Sequence, residues 1–210
     1  MSRRAMYVPA SFAVDDPDRL FAFLHKYPFA TLVTAAGDEL FASHLPLLVD
    51  RDGGEHGTLR GHVARANPHW QAFDGQARAL VIFHGPHAYV SPQWYVKRPA
   101  VPTWNYAAVH VYGVPRVIAE PERVSQLLVD LNQRFDHGPG DTLSDELRQS
   151  LEAAIVGFEL TIDRWEGKFK LGQNRGVADR AGTVEHLSRS ARAEDQLLAK
   201  FMREQGVLED

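Results

Sequence analysis

SPQWYVKRPAVPTWNYAAVHVYGVPRV, residues 91–117, is the stretch on which the fold turns. Trp94 and Tyr95 open it, and two cations, Lys97 and Arg98, follow. Pro99 and Pro102 then exclude a helix, because each fixes its own φ and restricts the residue before it. Thr103, Trp104, Asn105 and Tyr106 set a hydroxyl, an indole, an amide and a phenol side by side. A strand-like run over 107–118 comes next. A core needs no such concentration of large aromatics, cations and an amide, whereas a planar ligand with a charged tail does. Core filling remains the alternative for any single ring, since aromatics dominate burial generally.

On the N-terminal side, 7–12 reads as an extended lead-in. Asp15, Asp16 and Pro17 then start a helix that Pro28 ends. Strands are predicted at 30–34, 40–49, 58–64, 79–83 and 88–90, with turns at 36–38 and at Gly85-Pro86 and a polar loop at 50–55. Asn67-Pro68 caps a short helix between the third and fourth of these strands. On the C-terminal side, Pro121 opens a helix whose Val124, Leu127, Leu128, Leu131 and Phe135 share one face, and 136–141 ends it. Ser144 caps a short helix, with Asp145 and Glu146 near its positive end. A last strand spans 155–162, and two helices with a break near Gly182 or Ser190 follow from 177. Repeated strands with turns every eight to twelve residues point to a barrel or sandwich. The expected class is α+β, mainly β. Residues 1–175 form the barrel-like domain, and 176–210 form a helical extension packed on it or on a dimer partner.

The totals narrow the chemistry. The 210 residues carry 23 basic and 27 acidic side chains, a net charge of −4, and a pI near 6.2. A domain that binds nucleic acid through bulk charge is not indicated. There is no cysteine, which removes thiolate catalysis and thiolate metal sites. No apolar run is long enough to span a membrane, and residues 1–12 contain no signal-peptide core, so the expected location is cytoplasmic. His44, His62, His84, His87 and His110 lack acidic neighbours that would orient them as metal ligands, and no metal is expected. His44 and His62 read instead as strand residues able to hydrogen-bond a polar ligand. Ser43 and His44 are neighbours on a strand and face opposite ways, which excludes them as a nucleophile–base pair.

Lys168, Lys170 and Arg175, with the amides of Gln173 and Asn174, make an anion site or a solvated charged face. Arg65, before the Asn67 cap, is a second anion candidate. The tail carries five cations against seven anions, which gives no phosphate-binding surface by composition.

Six collinear segments carry a resemblance: MYVPASF (6–12), ATLVT with SHLPLLV, GHVARANPHW (61–70), YVSPQWY (89–95), VPTWNYAAVHVYG (101–113) and GKFKLGQNR (167–175). Together they resemble the PaiB-type FMN-binding negative transcriptional regulators. That resemblance implies an FMN-binding split β-barrel with flanking helices, similar to the pyridoxamine-phosphate-oxidase-like flavoproteins, and a homodimer with flavin near the interface. It places Ser43, His44 and the His62, Val63, Ala64, Arg65 strand against the flavin or its ribityl phosphate. It assigns Trp104, Asn105 and Tyr106 to the signature TWNY, and Lys170, Gln173, Asn174 and Arg175 to a K-L-S-Q-N-R segment in which Gly172 replaces the serine. Three functions follow: a flavin-bound regulator with DNA as a possible partner, an FMN-dependent oxidoreductase acting on a small molecule, and a dimeric scaffold with a degenerate pocket. Trp104 is read as a buried ring whose loss costs both stability and FMN binding.

Overall fold

The computed structural model describes residues 6–36, 39–136 and 144–209. Gly37 and Asp38 of the expected turn, residues 137–141 of the expected helix end, and the side chain of Asp145 lie outside these. The described elements are a mainly antiparallel sheet and five helices, which is the α+β class expected. The strand order is β3-β2-β6-β7-β8-β5-β4, an open path. In it β2 is Phe29–Ala36, β3 Glu39–Pro46, β4 Leu48–Asp50, β5 Thr58–Ala64, β6 Ala79–Val90, β7 Thr103–Val117 and β8 Ile155–Lys170. A short β1, Ala13–Val14, pairs with β8.

The chain divides into two compact units. The first comprises Met1–Leu20, His84–Val109 and Glu166–Asp210, and the second Phe21–Phe83 and His110–Trp165. Helix α1, Pro17–Lys26, and strands β6, β7 and β8 each have one end in each unit.

In the first unit, α4 (Val177–Ser188) and α5 (Ala193–Glu204) form the helical tail, and the break falls near Ser190. Phe201 of α5 meets Phe169 of β8 edge-on at 5.3 Å, and Leu171, Leu187, Leu198 and Met202 are fully buried. Gly182 sits inside α4 rather than at a break. A Cβ there would stand 2.6 Å from the carbonyl oxygen of Trp94, so the close approach of helix and chain requires glycine. Asp179, buried at the start of α4, accepts backbone N–H bonds from Val96 (2.7 Å) and Lys97 (3.1 Å). Those bonds tie the 92–97 segment to the helix.

In the second unit, β2 and β3 make a hairpin with eight paired positions, and β5 pairs with β8 from Thr58↔Thr161 to Ala64↔Ile155. Helix α2, Pro121–Phe135, buries Leu127 and Leu131 against Leu48 and Ile118, as its periodicity predicts. Phe135, at the end of that stripe, remains 43% exposed. Helix α3, Asp145–Ala153, is capped by Ser144 Oγ, which accepts from the N–H of Leu147. The cap at Asn67 also forms as predicted, on a 3-10 turn over Pro68–Ala72.

Four boundaries differ from the sequence reading, each for a local reason. The expected strand 40–49 is two strands, because the N–H of Leu47 leaves the ladder to donate to the carbonyl of Pro28 (3.0 Å). The strands expected at 79–83 and 88–90 are one, β6, because Gly85-Pro86 shifts the register without turning the chain. Strand β7 starts at Thr103 rather than 107, directly after Pro102. Strand β8 continues eight residues past 162. Its Glu166 and Lys168 break the apolar alternation in the sequence yet are only 8% and 7% exposed.

Candidate functional site

The expected site residues fall into two groups, one in each unit. In the first unit, the pleat of β7 separates the TWNY residues. Trp104, 50% exposed, and the half-buried Tyr106 share one face. Asn105 faces the other way and is buried against α5, with Nδ2 reaching Met202 Sδ at 4.0 Å. The expectation of a buried Trp104 is therefore corrected.

The neighbouring strand supplies the other wall. Burial along β6 alternates through Val81 and Phe83, slips by one residue at Gly85, and resumes at Pro86, Ala88 and Val90. Spaced three apart, His84 and His87 lie on opposite faces of a regular strand; the slip places both on the outward side. His84, His87, Trp104 and Tyr106 line a groove of about 260 Å³. The His87 and Tyr89 rings stand 6.1 and 6.3 Å from that of Trp104. Burial, and secondarily His87, lowers the His84 pKa, which favours its neutral imidazole. The Gly-Pro step inside an apolar run is the sequence signal for this slip.

The cations sit at the end of β8. Lys168 Nζ donates to the carbonyl of Tyr7 (2.7 Å) and lies over the Tyr7 and Tyr106 rings at 5.3 and 5.4 Å. Lys170 Nζ donates to Thr103 Oγ1 (2.5 Å) and to the carbonyl of Trp104. Arg175 lies 4.6 Å from the centre of the Tyr95 ring. Burial lowers the pKa of Lys170 first, and the charges of Lys168 and Arg175 lower it further. Among the described residues no carboxylate pairs with Lys170 or Arg175, so the cluster is electrostatically incomplete. A bound anion offsets the cost of burying that charge beside two others.

The two amides of this segment differ in their surroundings. Gln173 bridges its own turn: Nε2 donates to the carbonyl of Phe169 (2.6 Å), and Oε1 accepts from the N–H of Leu171 (2.8 Å). Asn174 is exposed. Gly172 has φ +89°, with only ordinary contacts around a built Cβ, so backbone conformation rather than space selects glycine over the family serine.

In the second unit, Ser43 belongs to a closed polar network. Its Oγ lies 2.8 Å from His69 Nδ1 and accepts from Asn67 Nδ2 (3.0 Å), while His69 Nε2 meets Thr34 Oγ1 at 2.9 Å. Ser43, His69 and Thr34 are all buried, and burial lowers the His69 pKa. His44 is exposed and bonds Thr31 Oγ1 (3.0 Å) across the hairpin. His62 shares a face of β5 with Arg60, whose guanidinium reaches Asp130 of α2 at 2.8 Å. In the ladder it stands opposite Gly157, which lies against Val124 and Leu127. Val63 is buried and Ala64 exposed. Arg65 donates to the carbonyls of Ala153 (2.7 Å) and Ile155 (2.8 Å). His69, which organises this network, is read in the sequence only as part of the short helix after Asn67; that its ring reaches Ser43 and Thr34 is a purely tertiary fact.

Residues 6–164 match the family described as "Putative FMN-binding domain". The chain belongs to this family. The "Protease synthase and sporulation protein PAI 2" of Bacillus subtilis (strain 168) is 34% identical over 203 residues, covering 95% of this chain and 97% of the relative. This fits the PaiB-type resemblance carried by the six segments. Among solved structures, the FAD and heme binding protein of Mycobacterium smegmatis aligns with TM-score 0.60 at 21% identity, covering 76% of this chain and 74% of its own. A flavocytochrome from Azotobacter vinelandii aligns with TM-score 0.62 at 13% identity, covering 81% and 75%. These two likenesses are likenesses of fold, and they agree with the split-barrel expectation. FMN is the cofactor that the family assignment gives this chain.

Proposed function

We propose that the first unit holds FMN, with the phosphate on Lys170 and Arg175 and the ring system against the Trp104–Tyr106 groove. The observation that carries this is the Lys168, Lys170 and Arg175 cluster, which has neutral acceptors and aromatic faces but, among the described residues, no paired carboxylate at Lys170 or Arg175. The residues fit the cofactor's chemistry. Charge-assisted donors suit a phosphate, and exposed rings suit a planar heterocycle. Flavin supplies redox chemistry when bound. The chain's own residues orient it, and the imidazoles of His84 and His87 offer hydrogen bonds beside it.

The reading is that of a flavin-bound regulator acting as a cytoplasmic homodimer with flavin near the interface. It is supported by the likeness to the B. subtilis protein, whose name couples protease synthesis with sporulation. Flavin serves as ligand or redox sensor, and it regulates only by favouring one of two protein states. DNA contact by the tail is not favoured by its charge.

The test is reconstitution followed by desalting, with FMN compared against riboflavin. Retained FMN bands together with much weaker riboflavin binding support the phosphate site. Equal retention of both overturns it. A gel shift with a salt titration then separates a DNA-binding regulator from a flavoprotein acting only on small molecules.

A further inference from the structure

The placement of FMN proposed for the first unit makes no use of Arg65, which the family resemblance sets near the flavin. Its Nε and one Nη are held by the carbonyls of Ala153, the last residue of α3, and Ile155, the first of β8. A guanidinium has five N–H donors, so others remain. No carboxylate among the described residues pairs with it. Arg65 stands on a groove of about 460 Å³ that lies wholly within the second unit. That volume is in the range of small-molecule sites.

The walls are apolar: Val117, Ile118, Val124 and Ile155, together with the Trp70 ring. Trp70 is locked in place, because its Nε1 donates to the carbonyl of Arg65 (3.0 Å). An apolar cleft whose described rim carries one fixed cation is complementary to an amphipathic anion. The polar side chains besides Arg65 are Gln149 and Glu152, and Glu152 opposes an anion.

We propose that this groove is a second ligand site, for a small aromatic or branched aliphatic carboxylate. The apolar body lies on the Trp70, Val124 and Ile155 walls, and the carboxylate takes the remaining Arg65 donors. Such a ligand gives the protein an input independent of flavin. By linkage, it stabilises whichever state holds the groove formed.

The test is calorimetric titration of the full chain, with and without saturating FMN, using phenylacetate and its neutral analogue phenylacetamide. Phenylacetate is expected to bind in both arms, about tenfold tighter than the amide, because only the acid makes the charge-assisted contact. Arg65→Gln is expected to remove that preference, and Glu152→Gln to tighten the acid. Since Arg65 also holds α3, Val117→Asp provides a second variant: it sets a carboxylate in the groove and is expected to abolish binding of the acid in a folded protein. Absence of saturable binding at millimolar probe overturns the proposal. So does equal binding of acid and amide, competition by FMN, or unchanged binding in folded Val117→Asp. Failure of FMN to bind bears only on the flavin reading, because the Arg65→Gln and Val117→Asp variants assign the flavin-free binding to this groove.

Discussion

Arg60 and Lys170 are both partly buried cations on strands, and their surroundings are opposite. Arg60, in the second unit, is clamped by Asp50 and by Asp130 at 2.8 Å, and these hydrogen bonds raise its pKa further. Lys170, in the first, has a hydroxyl and a carbonyl for partners and two cations for neighbours, and its pKa is lowered. A cation whose charge is already met by carboxylates holds structure together. One that the fold leaves uncompensated costs stability until an anion arrives, and that cost marks a binding site.

The largest effect that sharpens this contrast is on FMN. Lys170→Ala with Arg175→Ala is expected to weaken FMN by about 100-fold or more, taking about 1.5–3 kcal/mol per charge-assisted contact. Fluorescence-quenching titration checks it, with thermal unfolding as the control for folding. Unchanged affinity in the folded double variant breaks the contrast. Arg60→Ala is expected to do the reverse: about 1–2 kcal/mol of stability lost in denaturant unfolding as Asp50 and Asp130 are left unpaired, with FMN affinity retained.

Trp104→Ala comes next. Its ring is half exposed, so the stability loss is expected to stay below about 1 kcal/mol, far from that of a buried tryptophan. FMN affinity is expected to fall about tenfold through the lost ring contact. A large drop in melting temperature contradicts the exposed placement.

A pH effect belongs to the second unit. His69 is held neutral by burial, with its folded pKa below its ordinary 6.5. Between the two values the unfolded chain binds more protons. Stability is therefore full above about 6.5 and declines as pH falls toward the folded value. His69→Gln is expected to flatten that decline in a melting-temperature profile.

The smallest effect is Lys170→Met. Removing a lysine whose charge the folded state disfavours is expected to raise the flavin-free melting temperature slightly below the ordinary lysine pKa, while weakening FMN. A lower melting temperature counts against an uncompensated charge.

Much of this was legible in the sequence. The α2 stripe, the Asn67 and Ser144 caps and the proline-delimited start near Thr103 are local signals, and local hydrogen bonding enforces them. The Lys168, Lys170 and Arg175 cluster could be read because its members lie close together in sequence, although the strand that carries the two lysines is expected from sequence to end at 162.

Other features could not be read, because they depend on which strands meet. That Asn105 turns to Met202 while Trp104 turns outward, that His84 joins His87 on one side, and that Ser43 closes a network with His69 are all set by register and by a one-residue slip. Sequence by itself determined most of the helices and caps, the charge inventory and the family. Only the tertiary structure decided which charges are met and which are left open, because a carboxylate compensates a cation by distance, and distance between strands is fixed by packing.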